Sequence, residues 1–142
     1  MELWLVLSII VIVVWGFWGF ALKYASLSLE WYHVYVASAM GALSVYLIAT
    51  LALAYLGKLS TPATLKGLAV AVTGGLLGAL GGLMLVVALR MGEASIVVPL
   101  TSVYPAVTAI LSIILLGEDV TVKKILGVTL AILAVILLST SE

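Results

Sequence analysis

The chain contains no cysteine, no asparagine and no glutamine. Without thiols there are no disulfides, thiolate metal sites or cysteine nucleophiles. Missing Asn and Gln beside missing Cys fits a hot habitat, where labile side chains are avoided; it also fits a short apolar chain by composition alone. Charge is scarce: 8% of the 142 residues are Asp, Glu, Lys or Arg, and the formal net charge is zero. No basic field exists to draw in nucleic acid, so no nucleic-acid partner is expected. There is one histidine, His33. The remaining residues offer no Ser-His-Asp set, metal cluster, glycine-rich phosphate loop or cofactor motif. Neither enzymatic activity nor a bound metal or cofactor is therefore expected.

What is present is hydrocarbon. Hydrophobic residues make up 65% of the chain, against roughly 45–50% in a soluble domain that also carries about 25% charge. A water-soluble chain of this size must cover its surface with polar groups; lipid removes that demand. Charges divide the sequence into five free runs, at residues 3–22, 31–57, 67–89, 94–117 and 125–141. Each approaches or exceeds the roughly 18 residues that mark a spanning helix. The fifth is the shortest, and the stems of Lys123 and Lys124 can lengthen it by snorkelling. Uninterrupted apolar runs are helical, whereas membrane barrels alternate. The expected fold is all-α, a single polytopic membrane domain over residues 1–142 with five transmembrane helices near 3–23, 31–56, 63–90, 94–116 and 121–139.

Local signals mark the ends. Gly57, Gly92 and Gly117 each close a run where a left-handed residue is wanted. Thr61-Pro62 reads as a cap and first-turn proline for helix three, and Thr121 as a cap for helix five. Trp4, Tyr24, Trp31, Tyr32 and Tyr55 lie where interfacial aromatics belong. The start, Met1-Glu2-Leu3-Trp4, lacks the basic region of a cleavable signal. Lys58, Lys66, Lys123 and Lys124 share the N-terminal side, against Lys23 and Arg90 on the other. This bias favours a cytoplasmic N-terminus. Single cysteines replacing Ser60 and Ser141 should then label from opposite sides in uniformly oriented protein; labelling of both from one side would refute five spans.

Helix three carries Gly74, Gly78 and Gly82 at four-residue spacing, beside a row of Gly67, Ala71, Gly75 and Ala79. Such rows let helix backbones approach closely in lipid; the partner could lie within the chain or in another copy. Helix four is interrupted by Pro99 and Pro105. Thr101, Tyr104, Thr108 and Ser112 recur at three- or four-residue steps and share a face with Pro105. Broken helices with freed carbonyls are tolerated at membrane depth only when buried in protein or lining a cavity. This face is either the lining of a substrate site or a set of hydroxyls bonded to their own backbone. Trp15 and Trp18 on helix one form either an aromatic cavity wall or packing against a glycine-rich neighbour. His33 sits in the first turn of helix two, where an interfacial role outweighs proton relay. No carboxylate lies in mid-span, which argues against carboxylate-based proton exchange.

The run from Ala88 to Ser95, then Val98-Pro99-Leu100, Pro105, Leu116-Gly117-Glu118 and Gly127, resembles the EamA-like branch of the drug/metabolite transporter superfamily. The early Trp15-Gly16 is similar to its first helix. The family usually carries two five-helix repeats inserted in opposite directions. This chain, with one, resembles the single-repeat bacterial and archaeal members. The resemblance implies a secondary transporter of small metabolites or drugs in a prokaryotic plasma membrane, with a midplane cavity between helices one to four and helix five peripheral. It leaves Glu118 as a loop or helix-five contact. A cavity at a repeat interface needs both halves, so a homodimer working by alternating access is expected. The weak charge bias permits an antiparallel pair as well as a parallel one. A non-transporting or flippase-type subunit of a larger complex is the alternative.

Overall fold

A computed structural model describes residues 2–140; Ser141, chosen above for labelling, lies outside them. The chain is an all-α, polytopic membrane protein. Its helices are α1 (Leu3–Ser26), α2 (Trp31–Tyr55), α3 (Leu65–Met91), α4 (Ala94–Thr101), α5 (Tyr104–Leu116) and α6 (Val122–Ser139), with a 3-10 turn at Lys58–Ser60. Among the described residues, α1, α2, α3 and the combined run Ala94–Leu116 are long and apolar enough to cross a membrane. The last helix, α6, is shorter, at 18 residues, with Lys123 and Lys124 in its first turn.

Charge placement follows from the solvent. Glu2, Glu30 and Glu93 occupy the N-cap positions of α1, α2 and α4, where the positive end of a helix dipole favours an acid. Glu118 and Asp119 lie between α5 and α6. Thus no described acid falls inside a helix. Hydroxyls deep in the spans satisfy themselves: Ser8 donates to the Trp4 carbonyl at 2.8 Å, Ser44 to Met40 at 2.9 Å and Thr73 to Ala69 at 2.9 Å. In hydrocarbon an unbonded hydroxyl is costly, and the turn below is its nearest acceptor.

The helix ends match some local signals and correct others. Gly57 and Gly117 adopt left-handed φ of 67° and 68°, a conformation with no penalty when Cβ is absent. Gly92, expected to do the same, does not; Gly57 and Gly117 are the positive-φ glycines. Helix three starts later than the Thr61-Pro62 reading placed it. Its first turn is capped by Thr64, whose hydroxyl accepts from Gly67 N–H at 3.2 Å, while Thr61 donates to the Lys58 carbonyl in the preceding turn. Thr121 does cap α6, accepting from Lys124 N–H at 3.3 Å.

The chain divides into two compact units, residues 1–91 and 92–142. In the first, α1, α2 and α3 pack on one another. Its buried residues are Gly19, Leu22, Ser26, Val34, Val86 and Leu89, all towards the end that holds the α1–α2 turn and the end of α3. In the second, α6 packs against both α4 and α5. The α5–α6 connection is tied by Lys124, which reaches the Glu118 carboxylate at 3.3 Å and the Asp119 carbonyl at 2.9 Å. That is the loop and helix-terminus contact expected of Glu118.

Candidate functional site

The fourth span breaks at Ser102 and Val103, between α4 and α5. Pro99 stands inside α4 without ending it; the interruption falls just before Pro105, in the first turn of α5. Proline has no N–H to give the carbonyl four residues back, and its ring crowds that carbonyl; here the carbonyl belongs to Thr101. Ala106 N–H turns to Val103 O at 2.8 Å, a tighter pairing than an α-helix makes. The dihedrals stay near helical, with Ser102 at φ −70°, ψ 4° and Val103 at φ −79°, ψ −14°. The break is therefore a short turn of tighter pairing, with near-helical dihedrals, between two helical segments.

The hydroxyls around it bond backward. Thr101 Oγ1 lies 3.0 Å from both Val97 O and Val98 O. Ser102 donates to Val98 O at 2.8 Å and Thr108 to Tyr104 O at 3.3 Å. Each hydrogen is directed at the backbone, which leaves the hydroxyl oxygens as acceptors. Thr101, Tyr104, Pro105 and Thr108 are all exposed, with Tyr104 54% so. The two readings of this face are therefore compatible: the hydroxyls bond their own helix and still present lone pairs outward.

Trp15 and Trp18 belong to the first unit, on α1, and are exposed. The polar break belongs to the second. The glycine row of α3 is open: a Cβ added at Gly74, Gly78 or Gly82 meets nothing within 4 Å beyond its own helix. His33 lies beside Tyr32, with ring centroids 4.4 Å apart, in the first turn of α2. Among the described residues no group of His, Cys, Asp and Glu could hold a metal ion.

Two features go beyond the sites expected from the sequence. One is an open apolar groove of Trp31 on α2 with Leu83, Met84, Val87, Ala88 and Met91 on α3. The other is a polar clamp at the same end. There Lys23 Nζ donates to Leu89 O at 2.9 Å, and Arg90 reaches Ser26 O at 3.5 Å and Glu30 Oε1 at 3.4 Å. Charge placement could have pointed to it, since Lys23 and Arg90 both sit in the last turns of helices.

A model of the EamA-like transporter family matches residues 2–140. The chain belongs to that family. This EamA protein is thus a multi-pass membrane protein of a transporter family, not of an enzyme family. It is 46% identical over 77 residues to an uncharacterised protein of Methanocaldococcus jannaschii, a stretch covering 54% of this chain and 56% of that protein. No solved structure matches it. The proline-broken run that carried the resemblance, Ala88 to Gly127, lies wholly within the matched residues.

Proposed function

We propose that this EamA protein is a secondary transporter of small metabolites or drugs, working by alternating access as a homodimer in a prokaryotic plasma membrane. The observation that carries the reading is the interrupted fourth span, with its exposed hydroxyls. Thr101, Tyr104 and Thr108 offer hydroxyl groups without placing a full charge in the membrane. A polar solute leaving water needs such replacements. In the first unit, Trp15 and Trp18 are exposed aromatic faces of the kind that attract an amine. Purified protein in liposomes, given solutes selected by a thermal-shift screen of amino acids, sugars and amines, should move at least one of them. Failure of every selected solute to move would overturn the reading.

The homodimer has its own support. Among the described residues of the first unit, a Cβ added at Gly74, Gly78 or Gly82 would meet nothing within 4 Å, and a small-residue row in lipid gains most from a second helix. Gly78→Leu should reduce the dimer fraction in detergent and in bilayers while leaving the helical content of the chain unchanged. Active wild-type protein that is strictly monomeric would refute the dimer.

A flippase-type role is the second reading, favoured by the apolar groove from Trp31 to Met91, which is open to its surroundings. A fluorescent-lipid scrambling assay on the same liposomes separates the two. Solute flux without lipid movement supports transport; lipid movement without solute flux supports the flippase.

A further inference from the structure

The first unit is packed at one end only. Every residue in it that is buried or half-buried lies within positions 19–38 or 82–89; the described residues at 2–18 and 39–81 are exposed. The packed end is also where α1 and α3 finish side by side, as the contacts of Lys23 with Leu89 and of Arg90 with Ser26 require.

Two helices ending together bring together two sets of carbonyls that lack intrahelical donors, and two negative dipole ends. The chain answers this reciprocally. Lys23, in the last turn of α1, donates to the Leu89 carbonyl in the last turn of α3 at 2.9 Å. Arg90, in the last turn of α3, reaches the Ser26 carbonyl at the end of α1 at 3.5 Å. Its second nitrogen meets Glu30, the N-cap of α2, at 3.4 Å. Beneath this layer Ser26, 2% exposed, returns its hydroxyl to Leu22 O at 2.8 Å. Leu22, Val34, Val86 and Leu89 close the seam.

We infer that this clamp is a fixed pivot: α1, α2 and α3 are held at the end bearing Lys23, Ser26, Glu30 and Arg90, and change their separation at the opposite end. The cations bond main-chain atoms, whose positions a side-chain rotamer change does not alter, and an apolar seam backs them. In the opposite half Ser8, Ser44 and Thr73 bond within their own helices, and Gly16, Gly41, Gly74 and Gly78 have open space around them. The inference concerns motion within this unit and does not depend on any transported solute.

The absence of cysteine lets nitroxide pairs be introduced into the natural sequence background. Leu27 and Met91 report on the clamped end, Leu7 and Leu68 on the other; all four are at least half exposed. Full-length protein in liposomes, diluted with unlabelled protein to suppress signals between copies, would be read by pulsed electron–electron distance measurement. The Leu27–Met91 distribution should be narrow and the Leu7–Leu68 distribution roughly twofold broader. Arg90→Gln should broaden the first pair, and Arg90→Lys, which keeps the cation, should broaden it less. Equal widths at the two ends in the wild-type background would overturn the pivot, and this comparison stands even if Arg90→Gln fails to fold. A Leu27–Met91 distribution unchanged in well-folded Arg90→Gln would overturn the role of the clamp.

Discussion

Thr101→Val and Tyr104→Phe should each weaken solute binding by roughly 5- to 150-fold, because one unmet hydrogen bond costs roughly 1–3 kcal/mol in a protein setting and about 1.4 kcal/mol is tenfold in affinity. Both changes preserve shape. Thr101→Val removes an oxygen whose hydrogen is directed at Val97 O and Val98 O, so what the solute loses is an acceptor. Losing that backward bond does not strand the helix, since a carbonyl in a helical turn keeps its main-chain bond. Helical content and thermal stability without solute should therefore match wild type. The measurement is binding of the solute identified in the thermal-shift screen, followed by its flux into liposomes. Thr129→Val on α6 is the control and should leave flux unchanged. Trp15→Leu and Trp18→Leu test the aromatic contribution separately; for an amine solute each ring is worth about 0.5–2 kcal/mol. If both hydroxyl deletions leave transport intact while Thr129→Val abolishes it, the polar face of the fourth span is packing and the substrate site lies elsewhere.

Leu89→Ala should be the most damaging single truncation for stability. Leu89 is 0% exposed and Val86 beside it 1%, in a unit whose helices are otherwise mostly exposed. In a soluble protein such a truncation costs about 2–5 kcal/mol, part transfer and part cavity. In a bilayer the transfer part falls away because lipid tails are as apolar as leucine. The packing loss remains, which puts the expectation near the low end, about 2 kcal/mol. The same truncation at Leu76, 62% exposed, should change stability by no more than about 0.5 kcal/mol. Reversible unfolding in mixed micelles, followed by tryptophan fluorescence, reads both. An equal cost at the two positions would mean that the packing of the first unit does not end where burial says it does.

Helix capping shows how far local reasoning reaches. Thr121 and the left-handed Gly57 and Gly117 could be read from the sequence, because each depends on one residue's side chain or on its tolerance of positive φ. Thr61 could not be separated from Thr64, since both are threonines near the same helix start and the choice depends on where the 3-10 turn after Gly57 ends. Gly92 carried the same signal as Gly117, yet α4 begins two residues later with Glu93 as its N-cap, and the connection is made without a left-handed residue. Pro99 and Pro105 were equal as breakers in the sequence. Only the structure shows α4 running through the first and stopping short of the second.

By itself the sequence determined the solvent, the helices and the family. Hydrocarbon forces every spanning backbone group to bond within its own segment, so the apolar runs can only be helices, and charge can only sit at their ends. Tertiary structure alone decided how those helices are held. Lys23 bonds a carbonyl 66 residues away and Arg90 one 64 residues away. A main-chain carbonyl is the same acceptor at every position, so residue types do not reveal which one a distant cation will find. The packed and open ends of the first unit follow from that choice.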